Sequence, residues 1–112
     1  MIVYLPSNKV RATPAFLKEW EAFPKETREQ LARLIQRYLD EERLSPRQFK
    51  TFRIDERHKI LEFKVKDYMG NWRAISVHQQ GVLFLIYAFH KKSQELLEKE
   101  KSTIRARIRS LK

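Results

Sequence analysis

An unbroken apolar run, Val82-Leu83-Phe84-Leu85-Ile86-Tyr87-Ala88-Phe89, constrains this chain more than any other stretch. It follows Gly81 and opens directly into His90, Lys91 and Lys92. A short continuous run rich in β-branched and aromatic residues reads as a strand buried on both faces. It is too short and too closely bounded by charge to span a bilayer, and it predicts a strand at the centre of a sheet with its polar end at the rim. His90, Lys91 and Lys92 are then held by the most rigid element of the chain, where a site is best placed. Equally, the two lysines mark a strand's solvated end.

The chain around that strand has 112 residues, enough for one core and not for two, so residues 1–112 are expected to form a single domain. Hydrophobic residues make up 42% of it, which excludes a disordered chain. There is no cysteine, so disulfide frames and thiolate metal sites are excluded. The N-terminal residues lack the basic start and long apolar region of a signal peptide, and a cytoplasmic location away from membranes is expected. A formal net charge of +10, from 24 Lys and Arg against 14 Asp and Glu, points to a polyanionic partner, nucleic acid first, or to an acidic protein.

Residues 2–5 read as a short strand closed by Pro6. Thr13-Pro14 looks like an N-cap followed by proline in the first helical position, opening a helix over residues 14–22. Pro24 restarts the chain as a long amphipathic helix over 24–43, with Leu31, Leu34, Ile35, Tyr38 and Leu39 on one stripe. The break at Phe23-Pro24 suggests an antiparallel helical hairpin. Residues 47–59 are mixed and charged, with Phe49 and Phe52 as anchors. Over residues 60–66 the alternation is clear: Leu61, Phe63 and Val65 face a core, while Ile60, Glu62, Lys64 and Lys66 form a charged face. Residues 67–71 turn, 72–80 return as the partner strand, and Gln80-Gly81 turns into the apolar run. From about residue 94 the chain is helical again, with Leu97, Ile104, Ile108 and Leu111 as a sparse apolar stripe beside Arg105, Arg107 and Arg109. The expectation is an α+β domain: an N-terminal strand and helical hairpin packed on an antiparallel β-meander, with a C-terminal helix.

Gly70 and Gly81 are the only glycines, so there is no glycine-rich phosphate loop. No histidine pair has metal-ligand spacing and the acids do not cluster, so neither cofactor nor metal is expected. RNA can be cleaved without a metal if one group takes the ribose 2′-hydroxyl proton and cations hold the developing charge. Lys64, Lys66, Arg73, His90, Lys91 and Lys92 would supply those groups if the strands pair as read. Crowded cations lower lysine pKa values, which suits a lysine to proton transfer near neutral pH. Each has a plainer reading beside it: Lys64 and Lys66 as a solvated face, Arg73 as the partner of Glu62, His90 as a surface histidine, His78 as a satisfied side chain.

Three segments in order, Glu62-Phe63-Lys64-Val65, then Asn71-Trp72-Arg73-Ala74-Ile75, then Leu85-Ile86-Tyr87-Ala88-Phe89-His90-Lys91-Lys92-Ser93-Gln94, resemble the RelE/ParE toxin superfamily. The HigB-like, phage-derived branch is the nearest, and the Phe-Pro-Lys-Glu break at residues 23–26 is similar too. The resemblance covers roughly residues 14–110. It implies a RelE-like fold and the toxin of a type II toxin–antitoxin pair, a metal-independent ribonuclease that cuts mRNA on the ribosome and is silenced by a cognate, HigA-like antitoxin. By the same resemblance Lys64 and Lys66 take the basic strand positions, Arg73 the phosphate-contacting arginine, and Lys92 with Lys91 the basic position after the last strand. RelE-type members often carry a tyrosine shortly beyond that position. Here residues 93–99 have none, which leaves the general base open between His90 and a lysine. The long basic C-terminal helix, without His or Tyr, leaves room for a ParE-like inhibitor of DNA gyrase without nuclease chemistry, and the charge alone equally supports an inactive relative that binds nucleic acid or a partner.

Overall fold

The computed structural model describes residues 9–91 and 96–111. The strand expected over residues 2–5, and Lys92, lie outside that range. Thr13 opens α1 (Pro14–Glu21), its hydroxyl accepting from the Phe16 backbone N–H at 3.2 Å, with Pro14 at the position where a missing N–H costs nothing. A single turn separates it from α2 (Lys25–Leu39). That helix stops short of the expected residue 43, because Glu41 adopts a left-handed φ of 63°.

Five strands form one sheet in the order β1 (Val10–Ala12), β5 (Val82–Lys91), β4 (Gly70–Gln79), β3 (Lys59–Asp67), β2 (Phe49–Arg53). β1 runs parallel to β5 and the other neighbours are antiparallel. The expected α+β class holds, with two strands added at the edges. β2 comes from the segment read as mixed and charged, so the central place belongs to β4 rather than to the apolar run. The Gln80-Gly81 turn has positive φ at both residues, 52° and 80°, the twist that a two-residue hairpin loop requires.

Both faces of the sheet are covered. On one, α1 and α2 lay Phe16, Trp20, Leu31 and Ile35 against Leu61, Phe63, Ala74, Leu83 and Leu85. On the other, α3 (Glu98–Ser110) sets Ile104 and Ile108 against Ile60, Ile75, Val77 and Ile86. The face of residues 60–66 expected to carry charge is a second core at its Ile60 end, because α3 lies over it. Leu97, expected on the docking stripe, is 43% exposed, and Leu96 packs there instead. Among the described residues no helix is long and apolar enough to cross a membrane.

Candidate functional site

Alternation along β3 sends Lys64 and Lys66 to the face of α3, and the register pairs Lys64 with Arg73 and Lys66 with Asn71 on β4. There they line an open cleft of about 980 Å³, closed on its other side by Gln30 of α2 and by Pro46, Arg47 and Gln48. The Lys64 backbone N–H donates to the Gln48 carbonyl at 2.8 Å, which fixes that loop, and Arg47 with it, beside the strand. Arg47, Lys64, Lys66 and Arg73 thus surround one space. Lys64 is half-buried, and this burial pushes its ammonium below the usual lysine range. Glu62 opposes that shift, while Lys50 and Arg73 reinforce it. The cationic crowding expected to lower a lysine pKa contributes, but each cation ranks behind both burial and the opposing charge of Glu62.

Arg73 does not present a bare guanidinium. It is 1% exposed and donates to Glu62 Oε2 at 2.7 Å, with Glu62 itself fully buried and its Oε1 3.9 Å from Lys50 Nζ. The plainer reading of Arg73, as the partner of Glu62, is what the structure shows. Removing either partner would strand a charge in the sheet, at a cost of about 3–5 kcal/mol. Arg73→Ala is therefore a test of folding as much as of chemistry.

The residues after the apolar run are placed differently from the expected cluster. Between Ile75↔Tyr87 and Ser76↔Leu85 the register slips, leaving Ile86 as an extra residue on β5. Ile86 and Tyr87 consequently both belong to the α3 side, and every later residue changes face relative to an unbulged strand. His90 falls opposite Trp72, on the face away from Arg73, and stacks on the Trp72 indole with ring centroids 3.8 Å apart. Its Nε2 lies 2.6 Å from the Met69 carbonyl. His90 is thus an anchor of the β3–β4 turn and stands outside the cleft. Lys91 returns to the α3 face, where its ammonium donates to Glu100 at 3.1 Å and ties β5 to α3. Lys92 lies outside the described residues. His78 is satisfied as read, its Nε2 2.8 Å from the Tyr38 hydroxyl, and burial holds it below the usual histidine range.

The turn between β3 and β4 completes the cleft and was missed as a functional element. Tyr68 lines the cleft mouth and is 97% exposed. The signal available in the sequence was an aromatic residue at a loop tip, in Asp67-Tyr68-Met69-Gly70, where polar residues are the rule. Asp67 faces the same space but is engaged, accepting from Trp72 Nε1 at 3.0 Å and from the Met69 N–H at 2.8 Å. Among the described residues no group of three His, Asp or Glu side chains converges as a metal ion would need. A second groove, about 540 Å³, lies at the C-terminal end of α2 between Tyr38, Leu39, Leu44 and Phe49.

The arrangement can hold an anion between several cations, one of which, Lys64, burial holds below the usual lysine range. Residues 18–109 match the family model described as phage derived protein Gp49-like (DUF891). No curated protein was found to match the chain.

Proposed function

The chain belongs to the Gp49-like phage-derived family, and from that premise we propose that it is the toxin of a type II toxin–antitoxin pair, a metal-independent endoribonuclease cutting mRNA on the ribosome. The observation that carries this reading is the cleft in which Arg47, Lys64, Lys66 and Arg73 converge, with Lys64 shifted towards its neutral form. A phosphodiester enters between these cations. Lys64, once neutral, takes the proton of the ribose 2′-hydroxyl, and the oxygen attacks the adjacent phosphorus. The bond from phosphorus to the 5′-oxygen breaks, leaving a cyclic phosphate on one fragment and an oxyanion on the other, which takes a proton from water to become a hydroxyl. Lys66 and Arg47 stabilise the charge that develops on the phosphoryl oxygens, in a site built before the substrate arrives. Glu62 keeps Arg73 oriented from below. A cognate antitoxin silences the enzyme, and the apolar groove at Tyr38 and Phe49 suits an antitoxin segment.

Transcript 5′ ends mapped after tightly controlled induction test this. Discrete cuts within translated codons are expected, relieved when the antitoxin is co-expressed. Cleavage should fall about 10²–10⁴-fold in Lys64→Ala, the usual contribution of a positioned proton-transfer group. Lys66→Ala, at an exposed position, is the better folded control than Arg73→Ala and should also lose cutting. Arrested growth with intact transcripts would replace the nuclease with a gyrase-type inhibitor, and no growth effect would leave an inactive binding protein.

A further inference from the structure

Tyr68 is the most exposed large hydrophobic side chain of the described residues, yet the turn beneath it is held by several hydrogen bonds and a ring stack. The Asp67 carboxylate takes both the Trp72 indole N–H and the Met69 backbone N–H. His90 stacks on Trp72 and reaches the Met69 carbonyl from the next strand. Gly70, at φ 128°, lets β5 approach so closely that a Cβ there would meet His90 Nε2 and the Lys91 carbonyl at 2.8 Å. These contacts fix the backbone on both sides of Tyr68 while its own ring is left in solvent. Packing does not account for that, since the ring supports nothing in the fold. It stands at the mouth of the cleft whose walls carry Lys64, Lys66 and Arg47. An aromatic face beside a row of cations matches the alternation of base and phosphate along a single strand, where stacking holds the base and charge holds the backbone.

We propose that Tyr68 is a stacking platform for a nucleobase of single-stranded RNA whose phosphate lies in the cleft. The proposal rests on the RNA reading of the cleft and adds the residue that seats the neighbouring base. His90 and Trp72 are positioning residues for it, acting through the turn. Stacking is sequence-tolerant, so Tyr68 contributes affinity and register rather than strict base choice.

The test is binding of a short 2′-O-methyl RNA, which lacks the attacking hydroxyl and cannot be cut. One base is replaced by a fluorescent adenine analogue that dims on stacking. Tyr68→Ala should raise Kd roughly 5- to 150-fold, the range for loss of one base–aromatic stack, and abolish the dimming. Tyr68→Phe and Tyr68→Trp should keep both, because the ring and not the hydroxyl is used. An oligomer abasic at the stacked position should bind the unsubstituted protein more weakly and be indifferent to Tyr68→Ala. If the unsubstituted protein binds, Lys66→Ala weakens it and Tyr68→Ala changes nothing, the platform is overturned while the cleft stands. If the unsubstituted protein fails to bind, or Lys66→Ala has no effect, the RNA reading falls and the platform with it.

Discussion

Lys64 sits where burial and two neighbouring cations act in one direction and a single carboxylate in the other. A base must be neutral to work, so with Lys64 as the proposed base, cleavage should rise with pH through a pKa below that of an ordinary lysine. Lys50 is one of the charges that lowers this pKa and stands on the exposed edge strand, away from the cleft lining. Lys50→Gln should therefore move the rising limb of the kcat/KM profile to higher pH without removing activity. An unmoved limb would show that a different group titrates. Lys64, Lys66 and Arg73 were legible as a group because plain alternation carries them to one face. His90 was not, since the extra residue at Ile86 shifts which face each later side chain takes, and nothing in an apolar run announces a bulge.

Among the elements, α3 depends on one carboxylate. Glu100 accepts from the Leu97 N–H at 2.7 Å, half of a capping box, and from the Lys91 ammonium at 3.1 Å. Burial, the largest single effect, would raise its pKa, but these two donors together with the charges of Lys91 and Lys99 outweigh it and hold the carboxyl below the usual glutamate range. Its contribution to stability is thus complete above the ordinary glutamate pKa and is lost as pH falls through the lowered one. Glu100→Gln should cost about 1.5–3 kcal/mol near neutral pH, the range for hydrogen bonds to a charged group, read by urea denaturation. The penalty should shrink in acid, and faster amide exchange should be concentrated in α3. The helix pair, the two hairpin strands and the apolar strand were readable because their periods are strong. β2 was not, since an edge strand with Lys50 and Arg53 facing solvent shows little alternation, and β1 has only three residues to show any. The second core escaped for another reason: Ile60, Ile75, Val77 and Ile86 become one patch only when three strands are set side by side under α3.

For the whole molecule, cations border more than one hollow. Beyond the cleft, a smaller hollow of about 380 Å³ between β2 and α3 is edged by Lys50, Arg53, Lys101 and Arg105. An RNA strand lying across both would displace counterions at each phosphate it brings near a cation. Binding of a long single strand should weaken linearly in a plot of log affinity against log salt. Lys66→Ala and Lys101→Ala should each make the slope shallower by about 0.7, as one phosphate contact is lost. Only the cleft residue should affect cleavage of a short substrate. The chain also closes on itself late. β1 lies parallel against β5, and past that pairing Glu19 of α1 grips Arg107 of α3 at 2.8 Å while accepting the Ala88 N–H. During translation the first strand and both N-terminal helices leave the ribosome long before there is a floor for them to rest on. A message broken upstream of codon 82 yields a chain with no β5, and so one whose first strand and two helices have nothing to close upon.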